Sequence, residues 1–279
     1  MTNVDNDFSK SHLPFYSLYS GTGQEVTSDL YQFTNQIVNL FFYGDPYSTD
    51  WVLIDAGMPH GKEKIMAEAA SRMGHQKEPK AIILTHGHFD HVGALEPLLE
   101  VWEVPVYAHA LEIPYLTGKE NYPKGDSTVH GGLVSALSPL FPNHGIDISS
   151  SIQPLSETGV IPYMPGWQWI HTPGHTPGHI SLYREQDGTL IAGDAFVTVK
   201  QESLYKVVTQ KKEISGPPKY FTQDWHAARL SVEKLAKLQP NIAVTGHGLP
   251  MEGTELHSSL KHLVDNFDEI ALPGTKRNH

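Results

Sequence analysis

Four side chains able to ligate a metal fall within six residues: His86, His88, Asp90 and His91, in the run THGHFDH. The preceding residues, Ala81 to Leu84, read as a short buried strand, and a helical pattern begins at Gly93. At the end of an extended strand, side chains alternate, so His86 and His88 share a direction, while Asp90 and His91 stand at the turn into the helix. One loop can therefore present ligands to two adjacent metals. Three further candidates follow: His175 in HTPGHTPGH, Asp194 in LIAGDAF and His247 in VTGHGLP, each beside a glycine where the backbone can bend to aim the side chain. Taken alone, a histidine beside glycine, such as His247, is more often an ordinary turn residue. The cluster is different, because gathering three imidazoles and a carboxylate has no packing rationale: buried polar groups without partners are strongly unfavourable, and a metal is the simplest partner.

The bulk properties narrow what such a centre serves. The chain has 279 residues, 39% hydrophobic and 18% charged, an ordinary globular composition. With no cysteine, a disulfide framework, a thiol nucleophile and Cys-ligated zinc or iron–sulfur sites are excluded, so any metal is held by His and carboxylate. A formal net charge of −11 without a dominant Lys/Arg block argues against nucleic acid as a partner and for a small-molecule substrate. No apolar run reaches the roughly 18–20 residues of a membrane span, and the N-terminus lacks a basic segment followed by an apolar one, so no membrane association and a cytoplasmic location are expected.

The elements that must position these residues are legible in outline. Residues 30–34, 37–43 and 51–55 read as three strands of a meander, 61–73 as a helix with Ile65, Ala69 and Met73 on one face, 81–84 as a strand and 93–101 as a helix. Further strands are expected at 167–171, 180–183, 190–192 and 242–244, with helices near 222–238 and 256–270. This alternation predicts an α/β fold with helices outside packed sheets, one domain over 1–279. Residues 109–151, rich in turn formers and cut by proline, read as an inserted cap over the site. Its Tyr115, Tyr122, Leu133, Leu137 and Leu140 are candidates for an apolar acyl pocket, and Lys200, Tyr205, Lys206, Lys211, Lys212 and Lys219 of the 196–221 loop for a polar contact, though packing and a solvated loop are the plainer readings.

The ordered set LIDAG, THGHFDH, TPGHTPGH, GDA and TGHG, spanning roughly Asp55 to His247, resembles the five-part signature of the metallo-β-lactamase superfamily. The resemblance implies a four-layer αββα sandwich with the site at one edge. It places His86, His88 and His175 around a first metal, Asp90, His91 and His247 around a second, Asp194 between them, and Asp55 as a support from a neighbouring strand. His171 and His179, flanking His175 at four-residue spacing, are not needed as ligands; either is a candidate to tune the site.

Two divalent ions about 3.5–4 Å apart lower the pKa of a shared water and polarise the bond under attack, so hydrolysis by a metal-bound hydroxide, with Asp90 orienting it, is the expected chemistry. Zinc suits the His-rich set best, with iron or manganese as alternatives. Within the superfamily, the shared Asp194 and the lack of cysteine argue against true β-lactamase activity. His88, where flavodiiron proteins carry Glu, argues against a redox role. The 32 residues after His247 are too few for the glutathione-binding domain of hydroxyacylglutathione hydrolases, and Val197 stands where acyl-homoserine lactonases carry a tyrosine. The leading expectation is a hydrolase of an ester, lactone or thioester. A phosphodiesterase or nuclease on the same site and a non-catalytic metal-binding protein are the alternatives.

Overall fold

The computed structural model describes residues 17–46, 48–74, 77–127, 129, 138–199 and 212–274. Strands β1 (Thr22–Thr27), β2 (Leu30–Asn35), β3 (Val38–Tyr43) and β4 (Val52–Ile54) form an antiparallel meander. It continues through the parallel strands β5 (Ala81–Ile83), β6 (Val106–Ala108) and β7 (Ile152–Pro154), giving a seven-stranded sheet in sequence order. The second sheet contains β8 (Trp167–His171), β9 (Ile180–Arg184), β10 (Thr189–Ile191), β11 (Ile242–Val244) and β12 (Met251–Glu252), in the order β12-β11-β10-β9-β8.

The interior strands are apolar on both faces because both faces are covered. Val52, Ile54, Ala81 and Ile83 point inward to meet Trp167, Ile180, Leu182, Ile191 and Val244 of the other sheet. Their neighbours Leu53 and Ile82 point outward onto helices α1 (Lys62–Met73) and α3 (Leu95–Leu99), through Ile65, Ala69, Met73, Leu95 and Leu98. On the opposite outside, Leu190, Ala192 and Ala243 pack under α5 (Trp225–Lys237) and α6 (Gly253–Asp265), which bury Val232, Leu235, Leu256, Leu260 and Leu263. The result is the αββα sandwich. Each such side chain contributes about 1.5–3 kcal/mol by leaving water.

Some local details differ from the sequence reading. β1 has no sequence signal because TGQEVT is an exposed edge strand without an apolar face. β6 (Val-Tyr-Ala) and β7 (Ile-Gln-Pro) have none because neither is a continuous buried apolar run of the kind seen in β5. The helix expected over 93–101 is the shorter α3, and a separate helix α2 (Phe89–Val92) precedes it, the two parted where the Gly93 N–H donates to Gly57 O at 2.8 Å. The expected last helix is likewise α6 followed by α7 (Phe267–Ile270), separated by Asn266. The 109–151 segment connects the adjacent parallel strands β6 and β7 and carries a 3-10 turn (Ala110–Glu112) and helix α4 (Ile113–Leu116). Leu133 and Leu137 of this segment, and Lys200, Tyr205, Lys206 and Lys211 of the later loop, lie outside the described residues.

Candidate metal centre

Parallel strands bring their C-terminal ends to one edge, and four ends supply the centre. β4 runs into Asp55, β5 into His86, β10 into Asp194 and β11 into His247, while the turn after β8 carries His175. Helix α2 begins immediately after His88 and presents Asp90 and His91 from its first turn. All seven sequence candidates converge, each at most 7% exposed.

They fall into three overlapping groups whose ligand atoms lie within 4.8 Å of one another: His86, His88 and His175; His86, His91 and Asp194; Asp90, His91 and His247. Asp194 Oδ2 stands 3.5 Å from His175 Nε2, 3.6 Å from His91 Nε2 and 3.4 Å from His247 Nε2, so one carboxylate oxygen faces the histidines of both halves. His247 Nε2 also lies 3.3 Å from Asp90 Oδ2. Buried and without a hydrogen-bond partner in this gathering are His86 Nε2, His91 Nε2 and Asp194 Oδ1. Orphaned buried donors and acceptors are costly, and imidazole with carboxylate is the donor set of divalent-metal sites, so these residues fit a metal pair. Gly246 is required here, since a Cβ would crowd the Asp194 carboxylate and sit 2.7 Å from His91 Cε1.

The rings are held from behind. His91 Nδ1–H donates to Asp55 Oδ2 at 2.8 Å and His247 Nδ1–H to Ile37 O at 2.9 Å, while the Nδ1 atoms of His86 and His175 meet the hydroxyls of Thr85 (3.1 Å) and Thr222 (3.3 Å). Each contact leaves Nε2 aimed inward and sets the tautomer. His88 instead turns Nδ1 inward, 2.9 Å from His175 Nε2. Asp55 is itself in the left-handed region (φ 60°), a strained conformation held by Thr85 N–H and Thr85 Oγ1–H, each donating to its carboxylate at 2.8 Å.

The two halves carry protons differently. Burial and neighbouring imidazoles push His86 and His175 well below the usual histidine value; burial brings His88 down to about 4, Asp90 and Asp194 opposing. Burial would lower His247 too, but Asp194 and Asp90 overcome it and raise its value to about 10, and Asp55 and Asp194 likewise hold His91 well above the ordinary range. The same cations keep Asp194 and Asp90 below the usual carboxylate range despite burial.

Asn39 and Glu112 had no signal in the sequence, whereas His171, His179 and Tyr122 were already named there in supporting roles. Asn39 on β3 donates through Nδ2 to Thr245 O (2.9 Å) and Gly248 O (2.7 Å), pinning the loop of His247 to the other sheet. His179 Nε2 accepts the Asp194 N–H at 2.9 Å, and its Nδ1–H then points to Thr172 Oγ1 at 2.9 Å. His171 joins none of the three groups; it bonds Pro177 O at 2.9 Å and stacks on His109, ring centroids 4.3 Å apart. Tyr122 and Glu112, both from the 109–151 segment, reach the loop between His86 and His88. Lys219 is buried, Lys212 is exposed, and Val197 is buried with its backbone paired to Ser215.

A sandwich of this layering, with His and Asp gathered at its strand ends, defines a class, and residues 34–247 match the family model described as the metallo-beta-lactamase superfamily. The chain belongs to that superfamily. It is 50% identical over 265 residues to a protein of Bacillus subtilis (strain 168) named "Probable metallo-hydrolase YflN", covering 94% of this chain and all of that one. A second B. subtilis protein, "Probable metallo-hydrolase YybB", is 29% identical over 199 residues, 71% of this chain and 76% of its own. Among solved structures, TTHA1623 "in a di-iron-bound form" superposes with a TM-score of 0.52 at 27% identity, over 77% of this chain and 89% of its own. The metallo-beta-lactamase family protein TTHA1429 from Thermus thermophilus gives a TM-score of 0.59 at 20% identity, over 87% of this chain and 80% of its own. The site is thus that of a metallo-hydrolase, built for divalent metal ions. No helix among the described residues is long and apolar enough to cross a membrane.

Proposed function

We propose that this protein hydrolyses a small carboxylic ester, lactone or thioester with two divalent metal ions, one held by His86, His88 and His175, the other by Asp90, His91 and His247, with Asp194 shared between them. The observation that carries the reading is the position of Asp194 Oδ2, within 3.6 Å of ring nitrogens from both histidine sets. Bound there, two ions would lower the pKa of water toward neutrality and polarise the bond under attack.

The chain's own residues supply the rest. Asp90 is the most exposed of the seven, and in this reading its carboxylate orients the attacking water and takes its proton. Beside His88 lies Phe221, ring centroids 4.9 Å apart, backed by Phe89 and Phe141, an apolar wall suited to an acyl or aryl group and able to exclude bulk water. The net charge of −11 favours a small substrate over a nucleic acid. Zinc suits the imidazole-rich set, and the di-iron form of TTHA1623 supports iron as the alternative.

The test is metal analysis of the purified protein together with hydrolysis of aryl esters, lactones, thioesters and a bis-aryl phosphodiester, with and without chelator. About two ions per chain and chelator-sensitive cleavage of a carbonyl substrate support the proposal. Preference for the phosphodiester moves the assignment to phosphodiester hydrolysis, and full turnover without metal overturns it.

A further inference from the structure

Glu112 is a fully buried carboxylate that takes no place among the candidate metal ligands. Its Oε2 accepts the Gly87 N–H at 2.9 Å and the Tyr122 hydroxyl, and its Oε1 accepts Thr176 Oγ1–H at 2.8 Å and Gly178 N–H at 2.7 Å. Gly87 lies between His86 and His88, and Thr176 directly follows His175. One side chain therefore grips, by backbone or hydroxyl, the two loops that carry the three imidazoles of one group. We infer that Glu112 is a positioning residue of the metal centre, a clasp that sets the separation of the loop bearing His86 and His88 from the loop bearing His175.

Only a carboxylate suits that place. Being acceptor-only with about four lone-pair sites, it can satisfy four donors at once, whereas an amide or hydroxyl would turn a donor toward one of them. Burying a carboxylate is costly unless it is fully hydrogen-bonded, so a mere filler would be apolar. The loops are shaped to reach it: a Cβ on Gly178 would lie 2.7 Å from Glu112 Cγ, and a Cβ on Gly87 would lie 2.6 Å from the Tyr122 hydroxyl.

The clasp is itself anchored. Glu112 N–H donates to His109 O at 2.9 Å within the 3-10 turn, and Tyr122 stacks on Tyr115 with centroids 4.0 Å apart while its ring edge packs 4.6 Å from His88. The segment between β6 and β7 thus takes part in building the centre. The inference rests on the proposal that the three imidazoles hold a metal ion.

The test reads metal binding, independently of any substrate. Stepwise affinities of the wild-type protein and Glu112→Gln are measured by competition with a chelating dye, using zinc, and the visible spectrum is recorded after loading with cobalt(II). The amide turns a donor toward at least one of the four donors, freeing one loop. The expected result is one ion weakened by about 10–100-fold with a changed cobalt spectrum, the other ion holding within about twofold. Unchanged affinities and spectrum overturn the inference, whatever happens to thermal stability. Where Glu112→Gln does not fold, Tyr122→Phe decides. It removes one donor to Oε2 and is expected to weaken the same ion several-fold and shift the same spectrum, and wild-type binding by this variant overturns the clasp. A wild-type protein that takes up no metal refutes the functional proposal itself, an outcome distinct from two ions bound equally by wild type and variants.

Discussion

Replacing Asp55 by Asn tests the logic by which this fold aims its histidines. Asp55 touches no partner in the metal groups except from behind: Oδ2 accepts from His91 Nδ1 and Thr85 Oγ1, and Oδ1 from Thr85 N, all at 2.8 Å. Asparagine keeps the shape but has one acceptor atom. Its carbonyl can serve the Thr85 N–H, and the Thr85 hydroxyl can rotate to accept from the new NH2, but the His91 Nδ1–H then faces a donor. Relief comes when the metal-free His91, protonated on both nitrogens, gives up the proton on Nδ1 and keeps the one on Nε2, the atom that points into the centre, and that tautomer cannot bind a metal there. Two consequences follow. Loss of a charge-assisted hydrogen bond inside the protein costs about 1.5–3 kcal/mol, or roughly 3–10 °C in the melting temperature of a chain this size. Affinity for the ion held by Asp90, His91 and His247 falls by about 10–100-fold, while the ion held by His86, His88 and His175 is spared. Chelator-competition titration and thermal unfolding with and without zinc measure both. Equal weakening of both ions, or none, refutes the reasoning.

Asp194→Ala removes the shared carboxylate; the chain is expected to fold, to retain at most one tightly bound ion, and to lose at least about a hundredfold in hydrolysis of whichever panel substrate is best, checked by metal analysis and kinetics. Asn39→Ala strands the carbonyl of Thr245 and leaves Gly248 O with Gln32 Nε2 as its donor, a cost of about 1–3 kcal/mol read as a drop in the denaturation midpoint, and loosens the loop of His247. The two metal groups also differ in protons. The metal-free His247 is raised to about 10 and His91 well above its usual range, so both hold protons at pH 7, whereas His86, His88 and His175 are depressed and neutral. Filling the second group therefore releases protons and strengthens as pH rises toward about 10, whereas filling the first does neither near neutral pH; calorimetry in buffers of different ionisation enthalpy checks this, and equal proton release at both steps contradicts it. For stability the sign is that of a raised histidine: the His247 contribution to the metal-free fold is complete below about pH 6.5 and is lost as pH rises through about 10.

The seven candidate ligands were legible because so many imidazoles and carboxylates close together have no packing use, and because five of them stand beside a glycine while Asp90 and His91 follow within the same short run. The interior strands and long helices were legible for a similar reason. Continuous apolar runs such as Ala81–Ile83, and the Ile65, Ala69, Met73 spacing of α1, are properties of neighbouring residues. Hidden from that reading were the contacts made between distant parts of the chain. Glu112 reads as one more acidic residue of a turn-rich segment until folding sets it between Gly87 and Gly178, and Asn39 reads as a blemish in an apolar strand until the other sheet brings Thr245 and Gly248 against it. The edge strand β1 and the strands β6 and β7, whose residues form no continuous buried apolar run, carry too little pattern of their own and exist because a neighbouring strand offers them hydrogen bonds. Residue chemistry and local spacing thus pointed to the side chains that the fold brings together. The tertiary structure alone decided what holds each ring in its tautomer and at its distance, because a hydrogen bond across more than twenty residues of sequence leaves no trace in the composition of either end.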